Sequence, residues 1–396
     1  MISLTRLLTD QQYYGDSLRY TTDSVKQRHG AAAGRGPVVV WNVTRSCNLH
    51  CIHCYASAVR DVNPDELSTA AAKSFIDDLA RFKVPVLLFS GGEPLIREDI
   101  FDLIAHAAAR GIRAVISTNG TLITEDIARK IKESGVSYVG ISIDGIGADN
   151  DRFRGSPGSF AKALRGIRHC LRIGQRVGLR FTISKNTYGS LGAVFDLIEQ
   201  ERIPRVCFYH LVYSGRGIHL KDADVTREES RAALDLIIAK TLDFQARRLA
   251  TEILTVDNHA DGIYIYLWAL KNKPERAAAI RTLLKNNGGN RSGIAFANVD
   301  WEGNVHPDQF TREVRLGNVK ERKFSEIWTD PAHPILQQLR NRQQYLGGRC
   351  AACQWLDVCN GNFRARAIAA GSLWGSDPAC YLTDQEILVP DHLVPQ

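Results

Sequence analysis

PVVVWNVTRSCNLHCIHC, residues 37–54, decides how this chain is read. Val38–Trp41 is a short apolar run of β-branched and aromatic residues without polar alternation, the pattern of a strand buried on both faces. It leads into a C-x₃-C-x₂-C loop, in which Cys47, Cys51 and Cys54 bring three thiols close together. Chemically active groups placed just after a buried strand belong to parallel α/β architecture, where sites form at the C-terminal ends of strands.

Working outward, the same unit recurs. Strand-like runs at Val86–Phe89, Ala114–Ser117, Tyr138–Ile143, Gly178–Ile183 and Val206–His210 alternate with amphipathic helical stretches. Ser68 reads as an N-cap ahead of Ala72, Phe75, Ile76 and Leu79, which share one helical face; Gly111, Gly135 and Gly174 read as helix stops. Six βα-like units predict an α/β fold, a partial (βα)₆ TIM-like barrel, followed by a loop-rich C-terminal domain. The expected organisation is an N-terminal arm and linker (1–36, ending in GAAAGRG), a core barrel (37–215), a helical bridging segment (216–290) with one long helix at 226–249, and a C-terminal domain (291–396).

Composition narrows the class. The 396 residues are ordinary globular material, and no apolar run approaches the ~18 residues of a membrane span. Without a signal-like apolar stretch at the start, a cytoplasmic location is expected. Fifty Lys+Arg against forty-three Asp+Glu give +7, and Arg well outnumbers Lys. Arg suits carboxylates and phosphates, but no dense basic run with interleaved aromatics points to nucleic acid. Nine cysteines are unexpected where disulfides gain little, and their clustering points to metal.

Three thiols are one short of a closed [4Fe–4S] site and leave one iron free for another ligand. A zinc site completed by His50 or His53 is the alternative. The second set is Cys350, Cys353, Cys359 and Cys380, enough to close either a cluster or a zinc site. Cys170 and Cys207 stand apart and read as packing residues.

The cysteine loop, with SGGEP at 90–94, STNG at 117–120 and SIDG at 142–145, each following a strand, resembles the radical S-adenosylmethionine (SAM) enzymes. The resemblance implies that SAM sits on the open iron and yields a deoxyadenosyl radical. It assigns Gly91, Gly92 and Glu93 to the SAM amino group, and Ser117, Asn119, Ser142, Asp144, Arg154 and Thr182 to the rest of the SAM pocket. The C-terminal cysteines resemble the SPASM extension, which carries auxiliary clusters. Asp308, in GNVHPD, and Phe363 stand where a fuller SPASM domain has cysteines, so two [4Fe–4S] clusters are expected, one SAM-binding and one auxiliary, with room left beside the second.

YHLVYSGRG (209–217), HPDQF (306–310) and CNGNFRAR (359–366) further resemble the radical SAM proteins of heme d1 biosynthesis. This implies removal of propionate side chains from an iron tetrapyrrole, 12,18-didecarboxysiroheme. An electron donor such as a flavodoxin or ferredoxin is implied as partner, with neither nucleic acid nor membrane. Two readings compete: a side-chain-removing enzyme of the siroheme-dependent heme pathway, and a peptide-modifying SPASM enzyme. A non-catalytic zinc or iron–sulfur protein is the reading from another class. His210, His306 and Asp308 are the candidates for contact with the substrate.

Overall fold

The computed structural model describes residues 1–21, 29–61 and 65–388. Its strands in chain order are β1 (Ile2–Ser3), β2 (Val38–Asn42), β3 (Val86–Ser90), β4 (Arg113–Thr118), β5 (Tyr138–Ser142), β6 (Val177–Ile183), β7 (Arg205–His210), β8 (Glu252–Val256), β9 (Phe296–Val299), β10 (Asn304–His306) and β11 (Gly317–Asn318). They form one eleven-stranded sheet in the order β1-β8-β7-β6-β5-β4-β3-β2-β9-β10-β11. From β2 to β8 every neighbouring pair is parallel. The order is linear with two edges, so the barrel is partial and open.

The helices form where the apolar spacing placed them. Thr69–Arg81 is capped by the Ser68 hydroxyl and buries Ala72, Phe75, Ile76 and Leu79 against the sheet; Thr124 caps Glu125–Glu133 in the same way. Arg227–Ala246 begins with a capping box between Thr226 and Glu229. Among the described residues no helix is long and apolar enough to cross a membrane.

Parallel pairing brings all the strand ends to one rim. The cysteine loop leaves β2, SGGEP ends β3, STNG ends β4, SIDG ends β5, Thr182 lies near the end of β6, and His210 closes β7. A seventh parallel strand, β8, adds Asp257 to this rim. It lies in the segment 216–290, expected to be helical, where EILTV follows a long helix and gives too short a run to stand out.

One expectation, about the chain's start, needs correcting. Residues 1–20 are not an arm: β1 pairs antiparallel with β8, and Ile2, Leu4, Leu7 and Leu8 are buried in the main core. The exposed edge of β8 offers unpaired backbone groups, and β1 satisfies them. The linker expected before Pro37 lies partly outside the described residues. The C-terminal region, in turn, shares the barrel's sheet, because β9 pairs parallel with β2 (Val38 with Phe296, Trp41 with Val299) and β10 and β11 follow it antiparallel.

Much of the arginine works inside the protein. The Arg366 guanidinium is fully buried against Asp377 and also donates to the carbonyls of Leu211 and Asp257, tying the CNGNFRAR stretch to the ends of β7 and β8. Arg364 donates to the carbonyls of Leu373, Gly375 and Gly361, and Arg342 to Asn290 and Ser292. The excess of Arg over Lys therefore has a structural use, because one planar fork can satisfy several buried acceptors.

If residues 1–20 are core, Leu7→Ala should cost about 2–5 kcal/mol in chemical denaturation. A change under about 0.5 kcal/mol would restore the arm reading.

Candidate active site

The cysteine loop is held by backbone pairing with its neighbour. Beyond the last β2–β3 ladder pair, the Gly92 N–H donates to the Thr44 carbonyl (2.8 Å) and the Glu93 N–H to the Ser46 carbonyl (2.8 Å). A Cβ on Gly92 would stand 2.1 Å from the Ser46 oxygen, and one on Gly91, at φ +147°, 2.5 Å from the Thr44 oxygen. Glycine is required here by the approach of one loop's backbone to the other.

Glu93 is tied to the neighbouring strand end. Its carboxylate is fully buried and accepts from the Thr118 hydroxyl (2.7 Å) and from the N–H groups of Leu95 (3.1 Å) and Asn119 (2.8 Å). Burial pushes its carboxyl up to about 7, against these hydrogen bonds. It locks the SGGEP loop to the end of β4 and does not line the cavity.

That cavity encloses about 1050 Å³ including its mouth. The three loop cysteines form one wall, and Gly91, Gly92, Ser117, Asn119, Ser142, Arg154 and Thr182 also line it. The structure thus brings together the expected SAM-pocket residues apart from Glu93 and Asp144. Asp144 is 1% exposed and lies behind the wall, paired with Arg154 and accepting from the Thr182 N–H (2.6 Å). It sets the Arg154 guanidinium, which also reaches the Cys51 Sγ (3.8 Å).

Three residues of the lining carry polar atoms that the protein leaves unpaired. His53 Nδ1, Arg154 Nε and Arg216 Nη2 are buried and have no hydrogen-bond partner. Burial pushes the Cys47 thiol up to about 12 and raises Cys51 as well, the second against the lowering effect of Arg154. Bound cations offset that cost, since a coordinated thiol ionises. Of the two histidines weighed as zinc ligands, His50 is exposed, and the His53 ring stacks on Phe153 at 4.4 Å. Among the described residues no three His, Cys, Asp or Glu side chains converge as the ligands of one ion would.

The second cysteine set is also close-knit: ionisation of Cys359 is opposed first by burial and then by Cys380, Cys350 and Cys353 together. All nine cysteines are free thiols; Cys170 is buried in the main apolar core, and Cys207 is buried beside Arg205. The space expected beside this set is not empty. Phe363 packs edge-on against Phe310 (5.4 Å) and Phe310 against Tyr55 (5.0 Å), and Tyr55 and Phe310 line the cavity. Asp308 is turned into its own loop, accepting from Ser292 and from the N–H groups of Phe310 and Thr311. Neither Asp308 nor His306 lines the cavity, and both ring nitrogens of His306 are engaged, by the Val314 carbonyl (2.9 Å) and Asp300 (3.2 Å).

Residues the sequence did not single out complete the lining: Arg180, Tyr209, Arg216 and Asp257. Arg180 stacks over Tyr209 (4.7 Å) and donates to Ser117, while Arg216 holds the cysteine loop through the carbonyls of Cys51 and Ala58 (both 2.8 Å). The glycine-rich SGRG segment was the only available signal for Arg216; β8, unrecognised, hid Asp257.

Comparison with known proteins agrees with this geometry. The radical SAM superfamily profile matches residues 41–198, and the SPASM iron-sulfur cluster-binding domain matches residues 293–354. An Fe-coproporphyrin III synthase of Methanosarcina barkeri is 52% identical over 98% of this chain and 99% of its own length. A pre-heme d1 synthase of Dinoroseobacter shibae is 46% identical over 88% of this chain and 87% of its own. Among solved structures, Streptococcus suis SuiB bound to its precursor peptide SuiA superposes with a TM-score of 0.68 at 16% identity, covering 88% of this chain and 76% of SuiB, a likeness of fold.

Gly92→Ala should displace the cysteine loop, so that after anaerobic reconstitution the protein holds less iron than wild type. Gly189→Ala, whose Cβ meets nothing within 4 Å, should retain wild-type iron. Equal iron in the two variants would show that the close approach is dispensable.

Proposed function

This chain belongs to the radical SAM superfamily and carries its SPASM extension, and from that premise we propose that it removes carboxylate-bearing side chains from an iron tetrapyrrole in heme synthesis. It is an enzyme that works with SAM and iron–sulfur clusters. Cys47, Cys51 and Cys54 would hold the SAM-binding [4Fe–4S] cluster, and Cys350, Cys353, Cys359 and Cys380 one auxiliary cluster. When bound, the first cluster and SAM supply a deoxyadenosyl radical that takes a hydrogen from the substrate.

The chain's own residues set the stage. Arg154, its charge balanced by Asp144, offers a guanidinium to a carboxylate, with Ser142 beside it on the cavity wall. Tyr55 and Phe310 give the same cavity an apolar surface suited to a flat macrocycle. Arg180 and Arg216 add positive charge to the same lining for acidic side chains.

The observation that carries the reading is near full-length similarity to two enzymes named for iron tetrapyrrole products. The greater identity and fuller coverage favour a product of the Fe-coproporphyrin III type. Starting from 12,18-didecarboxysiroheme, loss of the two remaining acetate arms leaves the methyl and propionate rim of that product. Loss of two propionates, leading towards heme d1, is the second reading, supported by the Dinoroseobacter relative. Anaerobic turnover with reductant, SAM and didecarboxysiroheme separates them by product mass: acetate loss is expected, propionate loss with oxygen left on the ring would select the second reading, and an unaltered tetrapyrrole would refute both.

Two [4Fe–4S] clusters predict about eight irons per chain. Replacing Cys47, Cys51 and Cys54 by Ala should halve the iron and abolish SAM cleavage. Replacing Cys353 and Cys359 should also remove about half while some uncoupled SAM cleavage persists. Equal loss of SAM cleavage in both would make the second set structural support for the first.

A further inference from the structure

One buried polar group on the cavity wall, His210, takes no part in holding either cysteine set. It ends β7, is 6% exposed and lines the cavity. Its Nε2 lies 3.0 Å from Oδ2 of Asp261, and the other carboxylate oxygen, Oδ1, accepts from the Tyr381 hydroxyl at 2.6 Å. Asp261 is completely buried, so both of its oxygens require donors. Nε2 is therefore the ring nitrogen that donates to Asp261, which leaves Nδ1 for another partner. Among the described residues nothing bonds to Nδ1, and it is not one of the sealed, unpartnered atoms.

His306 gives the contrast: a histidine that serves packing has both ring nitrogens engaged within the protein. His210 has one end fixed by a buried carboxylate, and the residue lines the cavity. A metal-ligating histidine almost always donates its second ring N–H to a carboxylate or carbonyl, which fixes the tautomer and makes the ligating nitrogen more basic. Asp261, with Tyr381 behind it, is built in that way.

We propose that His210, through Nδ1, is the axial ligand to the iron of the tetrapyrrole substrate, with Asp261 and Tyr381 as its positioning pair. This rests on the reading of the substrate as an iron tetrapyrrole. Because the ligand would come from the end of β7, it fixes the centre of the macrocycle at that strand's end of the cavity. The peripheral side chains are then presented by rotation about one anchored point.

The test compares didecarboxysiroheme with its metal-free counterpart on the anaerobically reconstituted protein, read by difference absorbance and by electron paramagnetic resonance of the substrate iron. Wild type should bind the iron form at least ~10-fold more tightly and shift its spin state. His210→Ala should lose both the preference and the shift, and added imidazole should restore the shift. Asp261→Asn should weaken binding of the iron form by roughly 10- to 100-fold while the metal-free form binds as before. A His210→Ala protein with wild-type spectra and preference would overturn the assignment. Should that variant not fold, the wild-type preference and the Asp261→Asn result decide it. Equal wild-type affinity for the two forms would sink this inference alone, whereas binding of neither form would remove the tetrapyrrole reading with it.

Discussion

Everything at the catalytic rim depends on two backbone hydrogen bonds beyond the ends of β2 and β3. They join Gly92 to Thr44 and Glu93 to Ser46, and they carry the parallel ladder past the strands into two loops. A loop of three thiols has no core of its own, and left free it would sample many arrangements. Here it inherits the register of the sheet. Glycine allows the approach, and the buried Glu93 carboxylate links the same loop onward to Thr118 and Asn119. Arg216 grips it from the other side through two carbonyls. The path of the cysteine loop is thus a property of the scaffold.

A second constraint links the two cysteine sets. Arg366, paired with Asp377 where neither is exposed, bonds to carbonyls at the ends of β7 and β8. The stretch between Cys359 and Cys380 is therefore pinned to the cavity lining, with Phe363 packed in the gap. A buried ion pair contributes little net stability, but removing one partner costs about 3–5 kcal/mol. Its use here is positional, since it fixes where the C-terminal cysteine region meets the barrel.

How much of this was legible follows from the physics of each element. β2 to β7 were readable because strands covered on both faces leave uninterrupted apolar runs, and SGGEP, STNG and SIDG mark their ends. The cysteine sets were readable because each clusters within a short stretch of sequence. β1 and β8 were not, since two short segments 250 residues apart reveal each other only once the sheet's open edge exists. Glu93 and Asp144 were expected as ligand contacts, and the structure shows both carboxylates accepting hydrogen bonds within the protein, a turn of the side chain that spacing along a strand end does not specify. Likewise His210 and His306 looked equivalent in sequence. Only their partners distinguish them, one with a free ring nitrogen at a cavity and the other satisfied on both sides.

The account's central claim is that the radical made at the cysteine loop acts on a tetrapyrrole side chain held in the same cavity. Its most direct test is the mass of the deoxyadenosine formed in anaerobic turnover with didecarboxysiroheme deuterated in its acetate and propionate arms. The account predicts deoxyadenosine one deuterium heavier, formed together with the shortened tetrapyrrole. Deoxyadenosine without deuterium alongside an altered tetrapyrrole would contradict it.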